Sequence, residues 1–117
     1  MKSRPNHYTL LIFAPILIAT GALGLMTQSG TGPMSDAFAY DVFHIVFGVI
    51  GLAFVLLKQE KLVRAFNIGF GAIDLYQLVA SLLGLFPLTY FRWKWGDDVA
   101  HGVIGVALVA IGVLSRR

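Results

Sequence analysis

The sequence predicts an all-α integral membrane protein, a four-helix bundle made of two pseudo-repeated helical hairpins. Three observations carry this prediction. Hydrophobic residues make up 57% of the chain and charged residues 13%, against about a quarter charged in ordinary soluble domains, so lipid is the solvent this composition suits. Four apolar stretches recur, at about residues 8–26, 41–57, 65–86 and 98–114. The segment 41–49, D-V-F-H-I-V-F-G-V, returns at 98–106 as D-V-A-H-G-V-I-G-V, with Asp, Val, His, Val, Gly and Val matched at an offset of 57.

The first span follows Lys2 and Arg4 and precedes Ala37-Phe-Ala39, in the manner of a secretory signal. Its apolar run exceeds the roughly 7–15 residues of a signal core, so it reads as a retained span. The second and fourth spans are at the short end of the about 17–25 residues that cross a hydrocarbon core, and each recruits its leading Asp turn. The third carries the most polar face. Ala22-Leu-Gly-Leu25 resembles Leu82-Leu-Gly-Leu85 and pairs span one with span three, which completes the repeat. The whole chain, residues 1–117, reads as a single transmembrane domain.

Between the spans lie a Gly/Ser/Thr loop (Thr27–Tyr40), a charged turn (Lys58–Arg64) and an aromatic-basic loop (Pro87–Asp97). Lys2, Arg4, Lys58, Lys61, Arg64, Arg116 and Arg117 fall on one side, and Arg92 and Lys94 on the other. The positive-inside rule therefore expects both termini in the cytoplasm of a multi-pass inner-membrane protein. Arg92-Trp-Lys-Trp95 reads as an interfacial anchor. His7 falls in the basic tail and reads as solvated. With no cysteine in the chain, disulfides, thiolate metal sites and cysteine nucleophiles are excluded. The scarcity of charge runs argues against nucleic acid as a partner. The bilayer itself and a homo-oligomer or larger membrane complex are the expected ones.

Small residues let membrane helices approach closely. Gly21 and Gly24 share a face, as do His44, Gly48, Gly51 and Val55, and His101, Gly105 and Gly112. The histidine stripe is thus also the small-residue stripe, and both imidazoles are expected to point into the bundle. In span three, Asn67, Gly71, Asp74, Gln77, Ser81 and Gly84 form one line, which must also look inward, since a central Asp costs about 2.5–3.5 kcal/mol on insertion scales.

Helical spacing places Asp41 over His44 and Asp98 over His101. In the structural reading, Asp41 and either Asp97 or Asp98 cap their helices, and each His hydrogen-bonds across an interface. In a tetrapyrrole reading, His44 and His101 ligate a haem iron, or one of them a chlorophyll-type pigment, while Gly48 and Gly105 make room for the ring. A metal held by Asp41, His44, Asp98 and His101 is a further alternative. A proton relay along Asp74, Gln77, Ser81 and a histidine is another, with Asp74 about 10 Å deeper than either imidazole. No catalytic residue is assigned: no G-x-S-x-G is present, nor any Ser/His/Asp set at one depth.

The motifs His44-Ile-Val-Phe-Gly48 and Asp97-Asp-Val-Ala-His101-Gly-Val-Ile-Gly105 resemble those of small bacterial four-helix membrane proteins grouped as a domain of unknown function. The likeness covers roughly residues 38–114. It implies a four-helix membrane fold and no established activity, and Asp74 is outside the pattern. The expected function is a structural or accessory membrane component. The rivals are a tetrapyrrole-binding electron-transfer or pigment subunit and a proton- or ion-conducting element centred on Asp74.

Overall fold

Four long helices and one short helix account for most of the chain in the computed structural model, which describes residues 4–27, 32–35 and 37–115. They are α1 (Pro5–Thr27), α2 (Phe38–Leu56), α3 (Glu60–Leu83), α4 (Leu88–Phe91) and α5 (Trp95–Leu114). The long helices have 19 to 24 residues, or about 28–36 Å at 1.5 Å per residue, and all four are long and apolar enough to cross a membrane. The chain is a small multi-pass membrane protein.

Each long helix begins three to five residues before the apolar run that announced it. Pro5 occupies the first position of α1, where its missing N–H leaves nothing unpaired. Helix α2 begins at Phe38, so Asp41 is not its cap. Ala37 is, without a side-chain cap bond, and its N–H donates to Ser35 Oγ at 3.2 Å. The charged turn shrinks to residues 57–59, with Lys58 at φ 55°, while Lys61 and Arg64 lie on α3. Gly84 ends α3 in the left-handed conformation, φ 70°, which glycine adopts without steric cost.

The helices pack as two hairpins, α1 against α2 and α3 against α5. Glycine sets their closeness. A Cβ on Gly48 would stand 2.9 Å from the Ala14 carbonyl oxygen of α1, and one on Gly71 would stand 2.9 Å from the Val109 nitrogen of α5. Between the hairpins lies a core of Leu10, Ala14, Leu17, Val55, Val63, Phe66, Phe70 and Leu108. Within it Phe66 and Phe70 stack with ring centroids 5.3 Å apart, and Phe47 leans on Phe70 at the same separation. Ile12, Leu82 and Val103 are about two-thirds exposed, as expected of residues that face acyl chains.

The two ends of the bundle are built differently. At the terminal end, Asn6 Nδ2 donates to the Ser115 carbonyl at 2.9 Å, and Asn67 Nδ2 donates to Asn6 Oδ1 at 3.0 Å. Arg64 Nε donates to the Gly112 carbonyl at 2.7 Å, and Arg4 pairs with Glu60 at 3.2 Å. The loop end carries the candidate site.

Candidate functional site

Helix periodicity brings the loop-end side chains together. On α2, Tyr40 and His44 are one turn apart, and on α5 so are Asp97 and His101. All four are buried, as are Asp41, Asp74 and Gln77. The Tyr40 hydroxyl and His101 Nε2 share a hydrogen bond of 2.7 Å. The Tyr40 ring meets His44 edge to face, with centroids 4.2 Å apart. A single phenol thus touches both imidazoles, and its hydroxyl also faces the Asp97 carboxylate. A chain in which His101 Nε2–H donates to Tyr40, and the Tyr40 O–H points toward Asp97, gives every partner a complementary role.

Asp97 anchors the mouth of the site. Its Oδ2 accepts the Ser35 N–H at 2.7 Å and the Lys94 N–H at 2.9 Å. The second bond closes a capping box on α5; the first ties in the α1–α2 loop. The Ser35 hydroxyl donates to the Phe91 carbonyl, and Lys94 Nζ reaches the Gly32 carbonyl at 3.1 Å. Trp93 covers the site from above. Its ring meets His101 at 6.0 Å, and its Nε1–H donates to Gln77 Oε1 at 3.1 Å.

Two adjoining cavities open among these groups. The inner one, about 100 Å³, is lined by Tyr40, His44, Asp74 and His101 together with Phe70 and Thr20. The outer one, about 230 Å³, reaches the α1–α2 loop and is lined by Asp41, Asp97, Ser35, Tyr40, His44 and Thr20. They share Thr20, Met34, Tyr40 and His44. Larger concavities between α3 and α5 and between α1 and α5 are apolar and face outward. Among the described residues, His44 Nδ1, His101 Nδ1 and Gln77 Nε2 have no hydrogen-bond partner, which is uncommon for buried polar atoms.

Several expectations change. Asp98 does not stand with His101 over the site. It lines the outward groove with Leu78 and Val103, and its neighbour Asp97 takes the inward position. Adjacent helical residues are about 100° apart, so only one of the two can face inward. Asp41, His44, Asp98 and His101 therefore do not converge, and no three His, Asp or Glu side chains among the described residues are placed to hold a metal ion. A tetrapyrrole does not fit either. Tyr40 occupies the space between the imidazoles, and Gly48 and Gly105 are filled by helix contacts with Ile18 and Leu75. The cavity beside the rings is also well below the roughly 300–1,000 Å³ of small-molecule pockets.

The relay line is rearranged as well. Asp74 lines the same cavity as both histidines without Gln77 or Ser81 between them; Gln77 is bonded to Trp93 and Ser81 is half-buried at the rim. Trp93, expected as part of the interfacial anchor, is buried, whereas Trp95 and Tyr90 are exposed. Sequence reasoning missed Tyr40, Ser35 and the role of Trp93. The signal for Tyr40 was present, since it precedes His44 by one turn as Asp97 precedes His101.

No protein family, curated protein or solved structure matches the chain. The likeness drawn from His44-x-x-x-Gly48 and Asp97–Gly105 is one of motifs alone.

Proposed function

We propose that the protein is an accessory membrane component that binds a small polar ligand at its loop end and does not conduct. One observation carries this reading: buried Tyr40, His44, Asp74 and His101 line a cavity that adjoins a polar mouth at the loop end. Toward the other end the path meets Leu10, Val63, Phe66 and Phe70, then the Asn6–Asn67 clasp. Buried polar groups in a membrane bundle are expensive and tend to mark sites of function. At the loop end, His44 and His101 line a cavity and each carries a buried nitrogen without a partner among the described residues. On the orientation given by the Lys/Arg distribution, the mouth faces away from the cytoplasm.

Conduction would need a second half-channel, and the phenylalanine core occupies its place. A proton reaching Asp74 from the mouth would have to return by the same route. The test is one-sided labelling of intact cells with a membrane-impermeant thiol reagent. Because the chain has no cysteine, Thr20→Cys supplies a sole thiol in the cavity wall. We expect it to be modified from outside the cell. Modification only from the cytoplasmic face would reverse the orientation, and none from either face would remove the proposed site.

A further inference from the structure

We propose that the polar ligand of the loop-end site is the hydroxyl head of a single-chain membrane amphiphile, whose tail lies in the apolar groove between α1 and α5. This rests on the binding site proposed above and names its ligand class. The groove and the inner cavity adjoin, since Phe13, Ile16 and Ile104 line both. From there the groove runs to Thr9 on α1 and to Ile111 on α5 and has a volume of about 330 Å³. Ile16 to Thr9 and Ile104 to Ile111 each span about 10 Å at 1.5 Å per residue. Helices α1 and α5 pack little against each other, and Ile12 and Val103 at the rim are about two-thirds exposed, so the groove is open to lipid chains.

A second observation, inside the cavity, sets the head that the tail carries. Asp74 is 4% exposed and lines the inner cavity, and its carboxyl forms no hydrogen bond with any described residue. A buried acceptor in that condition is uncommon and calls for a donor. Thr20 lines the same cavity and brings a hydroxyl. A hydroxyl head has one donor for Asp74 and lone pairs for Thr20. Other occupants answer less of the site. An alkane, or a neighbouring helix laid along the groove, leaves Asp74 without a donor. A phospholipid would have to carry a charged head down to Asp74, the fifteenth of 24 residues in α3, and charge is expensive at that depth. The inner cavity, about 100 Å³, admits a small head alone.

The test uses the full chain in liposomes and an octanol bearing a photoactivatable diazirine on its chain, with adducts mapped by mass spectrometry. We expect adducts on residues of both cavity and groove, Ile16, Ile104 and Ala107 among them, which excess octanol suppresses and octane does not. Asp74→Leu should weaken the competition by octanol about tenfold or more, as the loss of a hydrogen bond to a carboxyl entails. If that variant fails to fold, octanol against octane in the parent decides alone. Ala107→Trp, at an exposed position of α5, should fill the groove and suppress the adducts while leaving Thr20→Cys open to modification from the mouth. Equal competition by octane, or adducts confined to the groove, overturns the amphiphile inference, and modification of Thr20→Cys from outside then leaves the polar site standing. Absence of both cavity adducts and Thr20→Cys modification overturns the site as well.

Discussion

The two ends of this bundle bury comparable polar side chains and use them in opposite ways. At the terminal end, Asn6, Arg64 and Asn67 donate to backbone or side-chain oxygens of neighbouring elements at 2.7–3.1 Å, and their bonds tie α1, α3 and α5 together. At the loop end, His44, Asp74 and His101 line a cavity, and the nitrogens His44 Nδ1 and His101 Nδ1 reach no partner among the described residues. Asn6 and Asn67 are as buried as the loop-end groups, and their amide nitrogens are bonded where the Nδ1 atoms of His44 and His101 are not. Polar groups that meet one another hold membrane helices together. Those left without a partner cost stability, and under the proposed function that cost is offset by ligand binding.

Four substitutions would break or sharpen that contrast. Gly71→Val should have the largest effect, since its new side chain would meet the Val109 backbone and the Gly105 carbonyl oxygen. Overpacking of this kind costs about 1–3 kcal/mol, read as a lower midpoint in reversible detergent unfolding. Asn67→Ala should be next, at about 1–2 kcal/mol, the upper range for interhelical hydrogen bonds in membranes. In the same assay Asp74→Asn should stay within about 0.5 kcal/mol of the parent or exceed it, because the amide removes a costly buried carboxyl. If Asp74→Asn proves the more damaging of the two, Asp74 is cement and the contrast fails. Asp98→Asn should have the smallest effect, within about 0.5 kcal/mol, in both stability and Thr20→Cys labelling, because Asp98 faces the outward groove.

The spans and their inward faces were legible because hydrophobic period and glycine spacing are local properties. The stripe of His44, Gly48, Gly51 and Val55 is buried along its whole length. Helix starts were less legible. Asp41 has the side chain that caps prefer, yet Ala37 is the cap, because Ser35 Oγ from the preceding loop takes its N–H. The duplicated motif pointed to Asp98. The choice between Asp97 and Asp98 depends on rotation about α5, which is fixed by Ser35 and Lys94 N–H groups that converge only in the fold. Trp93 followed the aromatic-belt rule in sequence, but its indole N–H finds Gln77 sixteen residues earlier, a pairing that no local pattern encodes. The same holds for Asn6 and Ser115, 109 residues apart.

Hydrogen exchange at the two ends tests the central claim most directly. In isotope-labelled protein in bicelles transferred to heavy water, the ring N–H proton of His44 should exchange rapidly through the loop-end cavity. The side-chain amide protons of Asn6 and Asn67 should persist, held in the terminal clasp. Slow exchange at the His44 imidazole, or equally fast loss at the asparagines, would contradict a bundle that is open to water at one end and sealed at the other.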